Sequence, residues 1–290
     1  MDGFIHQILS GIATGGIYAS VALALVMIYQ ATHHINFAQG EMATFSTYIA
    51  LTLIQAGLPY WVAFVATFLI SFVMGVLVER IFMRPMARAP ELSSVGVFVG
   101  LLLIFSSISG WIFGYTIKTF PTPFDTGRPM FGGFLSGHEL GSTVVTLAVL
   151  LSVYLFFRFT RLGLAMRAAA YNPTSSRLVG VRVSWMLALG WGLAAGIGAI
   201  AGCMVAPIVF LDPNMMAGIL LYAFAGALLG GITNPLGAVL GGFAVGIIEN
   251  IGGAYIVGTE LKLTMALVII VAVLVIKPSG LLGRTVQSRV

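Results

Sequence analysis

Charge is the scarcest commodity in this sequence, with 14 Lys and Arg and 9 Asp and Glu in 290 residues, 8% in all, against about 25% in soluble domains. With 59% hydrophobic content and a mean hydropathy of +1.05, there is too little polar surface for a soluble domain, and the chain is a multi-pass membrane protein. At about 20 apolar residues per crossing, it supports roughly eight or nine helices and little extramembrane mass. Cysteine is nearly absent. Cys203, the single one, sits in an apolar run, which excludes an intrachain disulfide and a cysteine metal cluster. No phosphate-binding GxxxxGK[ST], HExxH or GxSxG pattern occurs, and no Ser/His pairing suggests an intramembrane protease. His6, His33, His34 and His138 lack metal-ligand spacing, and the two that are adjacent point to different helix faces. Any energy for moving a solute has to come from another subunit or an ion gradient.

Breaks at charges, prolines and polar clusters leave nine apolar segments: 4–30, 41–56, 60–83, 93–115, 142–158, 184–210, 217–233, 236–255 and 263–277. The first has an acid, Asp2, where a signal peptide carries positive charge. Its apolar run to Tyr29 is too long for a cleaved h-region, so it reads as a spanning helix. The second starts at Glu41, the seventh follows Asp212-Pro213 and the eighth contains Glu249; these three are expected to be short, tilted or broken. An eight-helix alternative pairs the seventh and eighth as a re-entrant hairpin.

Lys and Arg accumulate in cytoplasmic loops. Arg80, Arg84 and Arg88, then Arg158, Arg161, Arg167, Arg177 and Arg182, then Lys277, Arg284 and Arg289 make up 11 of the 14 basic residues. All lie on one side if the N-terminus is periplasmic and the C-terminus cytoplasmic. Lys118, Arg128 and Lys262 fall on the other. The first four segments then run opposite in sense to the last four, with 142–158 as the odd helix between them. That is the signature of an inverted-topology repeat with halves at about 4–115 and 184–277, in a single transmembrane domain covering 1–290. Sequence echoes support it: in each half an apolar helix (Tyr18 to Tyr29; Gly192 to Phe210), a polar break and a small-residue-rich helix follow one another.

Glycine is abundant, at 36 residues, and many are four apart, such as Gly11 and Gly15, Gly96 and Gly100, Gly192 and Gly196, Gly198 and Gly202, and Gly242 and Gly246. Such spacing lets helix backbones approach closely in lipid, and packing within one bundle is preferred to dimerisation as its role. The break at 31–41 places Asn36, Gln39 and Glu41 beside Phe37 and Gly40. Irregular backbone within a membrane has to be buried in protein or line a cavity, which suits a path for a small polar solute. An ordinary cytoplasmic turn, with Glu41 beside a helix dipole, reads equally well. Glu249-Asn250, deep in an apolar segment, points to a pathway or a structural lock ahead of incidental burial. The loop from about 158 to 183 carries five arginines and no acid. Asn172 can cap a helix beginning at Pro173, running to about 179 and ending at Gly180. This is more structure than a headgroup anchor requires, and it reads as a docking surface for a cytoplasmic partner.

The chain resembles the shorter, H-type permease subunits of branched-chain (hydrophobic) amino acid ABC transporters over nearly its whole length. The resemblance rests on Gly16-Ile17-Tyr18-Ala19, Ile35-Asn36-Phe37-Ala38-Gln39-Gly40-Glu41, Glu79-Arg80 with Arg84-Pro85, Arg167-Ala168 to Gly180-Val181, Gly230-Gly231 with Gly237-Ala238 to Gly241-Gly242, and Glu249-Asn250. It implies an all-α polytopic ABC importer permease bundle in a bacterial inner membrane. The implied partners are a second homologous permease, two cytoplasmic ATPases that carry the ATP and magnesium, and a periplasmic substrate-binding protein, with surrounding membrane lipid and no nucleic acid. This chain would hold no cofactor or metal and perform no catalysis. The resemblance makes the 158–183 loop, with Arg167, Ala168, Ala169, Asn172, Pro173, Arg177 and Gly180, the ATPase-coupling segment. Tyr18, Asn36, Phe37, Gln39, Gly40, Glu41, Asp212, Asn214, Glu249 and Asn250 are the expected pathway residues. Three departures stand out: Gln39 replaces the family's usual histidine, Asn234-Pro235 replaces a small residue after the paired glycines, and Ser175-Ser176 replaces acidic and alanine residues. Related permeases serve urea, short amides and other small carboxylates. A self-sufficient channel or ion-coupled carrier using Glu41 or Glu249 is the rival from another class.

Overall fold

The computed structural model describes residues 2–32, 34–86, 90–125 and 135–283. In chain order its helices are α1 (Asp2–Thr32), α2 (Gln39–Gln55), α3 (Tyr60–Val78), α4 (Arg84–Met86), α5 (Glu91–Phe113), α6 (Gly137–Phe159), α7 (Arg161–Tyr171), α8 (Pro173–Leu178), α9 (Val183–Val209), α10 (Met216–Gly230), α11 (Pro235–Tyr255) and α12 (Lys262–Ile276). A π turn over Glu79–Met83 joins α3 to α4. All nine apolar segments of the sequence are helical. Among the described residues, seven are long and apolar enough to cross a membrane, whereas α2 and α10 have 17 and 15 residues. The shortness expected of the segment holding Glu249 is corrected: α11 has 21 residues, because Asn234 caps it cleanly and its acid is neutralised within the protein.

The chain divides into two compact units. The first comprises Met1–Val26, Phe124–Thr146 and Gly218–Val290. In it, small residues bring α1 and α11 into near backbone contact: a Cβ added at Gly11 would sit 2.8 Å from Ile247 Cα, and one at Gly15 would sit 2.9 Å from Phe243 Cα. Further along α11, Gly242 meets Ala19 of the same helix α1, while Gly241 meets Gly226 of α10. α6 begins with a reciprocal capping box. Ser136 Oγ accepts the Glu139 amide at 3.1 Å, the Glu139 carboxylate accepts the Ser136 amide at 2.8 Å, and Ser10 Oγ donates to the same carboxylate at 2.8 Å.

The second unit comprises Met27–Pro123 and Leu147–Ala217. Its centre is α9, where glycine and alanine predominate and nearly every residue from Gly190 to Ala206 is buried. α3 packs on one side of it, with Phe72 and Phe68 filling the space over Gly192 and Gly196. α2 packs on another, where Gly198 and Gly202 receive Gln39 and Thr47. Phe98 of α5 stacks on Trp191 of α9, centroids 6.0 Å apart. Glycine pairing is therefore spent largely on packing inside the chain, as the spacing predicts. Gly96 and Gly100 differ, since a Cβ there would meet nothing within 4 Å.

Candidate functional site: a buried polar break, an interhelical ion pair and a basic elbow

In the second unit the polar break at 34–38 returns the chain to α2 beside the middle of α9. Gln39 Nε2 donates to the carbonyl of Ala194 at 2.9 Å, and a Cβ at Gly198 would come within 2.6 Å of that same nitrogen. Because α9 runs from Val183 to Val209, the start of α2 meets α9 about midway along its length. Asn36 braces the break by accepting the Ala38 amide on Oδ1 at 3.0 Å while its Nδ2 faces Gln39 Oε1 at 3.4 Å. Asn36, Gln39, Gly40 and Glu41 are buried, and Phe37 is exposed. Asn36 and Ala38 of the break are buried, whereas His34 and Ile35 are half-buried. One oxygen of Glu41, Oε2, is buried without a hydrogen-bond partner among the described residues.

A second break in this unit precedes α10. Leu211 and Lys118 exchange two backbone hydrogen bonds of 2.9 Å, which fixes the chain just before Asp212. Asp212 Oδ1 accepts the Asn214 amide at 2.7 Å, and Asn214 Oδ1 accepts from Ser106 at 3.1 Å. Asp212 is half-buried and Asn214 exposed. Glu41 and Asp212 lie within electrostatic range of each other. The structure thus brings two of the predicted polar breaks, each opening a short helix, into one unit.

The first unit holds the remaining expected residues. Tyr18 Oη donates to Glu249 Oε2 at 2.7 Å, and Lys262 Nζ pairs with Glu249 Oε1 at 3.2 Å. Tyr222 stacks on Tyr18 with centroids 5.0 Å apart. Asn250 Nδ2 donates to Thr14 Oγ1 at 2.9 Å and to the Gly246 carbonyl at 3.0 Å. Gly253 accommodates the Lys262 stem, since a Cβ there would lie 2.8 Å from its Cγ. Sequence reasoning linked neither Lys262, read as a topology marker, nor Tyr222 and Thr14 to this cluster. A buried acid and a basic residue at the start of the next segment were the available signal. Both Glu249 oxygens are engaged within the chain, which is the geometry of a lock between α1, α11 and α12.

The arginine-rich loop is a two-helix elbow. Thr160 Oγ1 accepts the Gly163 amide at 3.0 Å and caps α7. Gly163 lets α7 fold tightly against the end of α6, where a Cβ would lie 2.6 Å from Phe157 Cα. Asn172 Oδ1 accepts the Ser175 amide at 2.9 Å, with Pro173 in the first turn of α8. Gly180, at φ +85°, turns the chain toward α9. The capped helix at 173–178 matches the expectation; α7 is additional, and its Thr-x-x-Gly cap was the missed signal. Arg167, Ala168, Asn172, Pro173, Arg177 and Gly180 are exposed, and Ala169 is buried. Among the described residues, no group of three or more His, Cys, Asp or Glu side chains is placed to hold a metal.

Seven apolar spans, two short helices opened by buried or half-buried polar breaks, and a capped basic elbow define a multi-pass membrane permease. The chain belongs to the family described as the branched-chain amino acid transport system / permease component, which it matches over residues 7–274. It is 27% identical to the high-affinity branched-chain amino acid transport system permease protein LivH of Escherichia coli, over 99% of this chain and 98% of that protein. It is 29% identical to the corresponding protein BraD of Pseudomonas aeruginosa over the same shares. A probable branched-chain amino acid transport permease protein LivH of Methanocaldococcus jannaschii is 27% identical over 91% of this chain and 87% of that protein.

Proposed function

We propose that this chain is the membrane subunit of an ATP-driven importer for branched-chain or other hydrophobic amino acids, forming half of a translocation pathway with a second homologous permease. Two cytoplasmic ATPases would supply ATP and magnesium, and a periplasmic binding protein would deliver the solute. The observation that carries this reading is the α7–α8 elbow. It has two independently capped helices, exposed arginines and exposed apolar side chains at Leu164, Tyr171 and Leu178, a surface suited to a groove on a soluble partner. The distribution of arginine supports placing the elbow in the cytoplasm, with the N-terminus periplasmic and the C-terminus cytoplasmic.

The pathway side of this reading rests on the two short helices. In transporters, discontinuous helices present their N-terminal ends to substrate near the bilayer midplane, and the start of α2, beside the middle of α9, is read as such an end. Glu41, Gln39 and Asn36 at its start, with Asp212 and Asn214 before α10, form the polar lining; Glu249 serves as the lock described above. Replacing Arg167 with Ala, or deleting part of 171–180, should abolish coupling between transport and ATP hydrolysis while membrane insertion is retained. Measuring hydrolysis and uptake by the assembled complex in proteoliposomes checks this, and unchanged coupling would remove the elbow from the docking role.

A further inference from the structure

At the foot of α9, Ala165, Val181, Arg182, Trp185, Met186 and Leu189 enclose an open cavity of about 330 Å³. Four of these, Arg182, Trp185, Met186 and Leu189, recur at intervals of three and four along α9 and so lie on one helix face. The face passes from charge to apolar side chains in the direction in which α9 enters its span. Arg182 is exposed at the mouth, and Trp185 is 44% exposed. The guanidinium of Arg80, from the π turn after α3, stacks 3.9 Å above the Trp185 ring. Arg80 Nε is buried and has no hydrogen-bond partner among the described residues. Glu79, the nearest acid in sequence, is only 4% exposed and lies within electrostatic range of Arg84 and Arg80; with Arg182 also exposed, three arginines stand against one acid in this region.

We propose that this groove binds an anionic phospholipid, with its phosphate against Arg182 and Arg80 and one acyl chain along Trp185, Met186 and Leu189. Guanidinium groups are matched to phosphate oxygens. Tryptophan favours the headgroup level, and basic pockets between spanning helices take anionic headgroups. A soluble protein partner fits the site less well, because Met186 and Leu189 continue the groove into the apolar span, where such a partner has no reason to reach.

The test uses the full chain in nanodiscs containing brominated phosphatidylglycerol or brominated phosphatidylcholine, with quenching of Trp185 emission obtained by difference from Trp185→Phe. Phosphatidylglycerol should be preferred at this tryptophan by on the order of tenfold. Arg80→Gln combined with Arg182→Gln should bring the two lipids to equal quenching, and Arg182→Lys should keep most of the preference. Equal quenching by both lipids in the unaltered chain overturns the proposal, as does a preference that survives the double substitution. Protection of Trp185 from both lipids, arising only when an ATPase subunit is bound, would assign the groove to that subunit and also overturn it.

Discussion

Glu249 illustrates how far a single residue can be read. An acid in the middle of an apolar segment has to find a partner or a cavity, and the structure supplies Tyr18 at 2.7 Å and Lys262 at 3.2 Å. The acid was legible because its neighbours are apolar; Lys262 was not, because no periodicity links a residue within one span to the first residue of the next. Removing one member of a buried pair leaves the other charge uncompensated. Lys262 retains 26% side-chain exposure, so Lys262→Met should cost about 2 kcal/mol, below the 3–5 typical of fully buried pairs. Glu249→Gln together with Lys262→Met should recover most of the loss in thermal unfolding in detergent. If the double variant is no more stable than Lys262→Met, the two groups are not acting as a pair. Gln39 invites a similar test. Its amide lies where a Cβ on Gly198 would come within 2.6 Å, so Gly198→Ala should destabilise by about 1–3 kcal/mol through overpacking, whereas Gly96→Ala, in open space, should be nearly neutral in the same assay.

At the scale of elements, caps decide where helices stop and start. Asn172-Pro173 and Gly180 made α8 legible, because each of those residue types has one preferred place at a helix end. α7 was missed, since its Thr160 cap lacks a proline and its alanine-rich stretch resembles a continuing loop as readily as a helix. The placement of α2 was only partly legible: the sequence shows a polar break, but not that Gln39 meets the Ala194 carbonyl midway along α9. Asn172→Ala should weaken α8 by about 1 kcal/mol, seen as faster hydrogen exchange at Ser175 and its neighbours with little change in α7. Asn234 carries two duties. Its Oδ1 caps α11 by accepting the Leu236 and Gly237 amides, and its Nδ2 donates to the Leu282 carbonyl at 3.0 Å. The segment after α12 is further held where Leu281 and Leu282 donate to the carbonyls of Leu229 and Gly230. Asn234→Asp should keep the cap and loosen only the Leu281 and Leu282 amides, whereas Asn234→Ala should also speed exchange at Leu236 and Gly237. Equal protection in all three proteins would show that the side chain does not pin this segment.

For the whole molecule, the scarcity of charge was the most informative property, because the few basic residues mark sidedness and the fewer acids mark polar positions within the apolar chain. The positions of nine helical segments followed from the apolar runs between those charges and polar clusters. What the sequence could not convey was the grouping of these helices into two compact units, since it depends on side-chain contacts distant in the chain. The central claim is that this permease moves its solute only when partnered with ATPases. Uptake of radiolabelled leucine into proteoliposomes, with the chain alone and with the second permease, ATPases and binding protein added, tests it most directly. The account predicts uptake only in the assembled system and only with hydrolysable ATP; leucine accumulation by the chain alone, driven by an ion gradient or by diffusion, would contradict it.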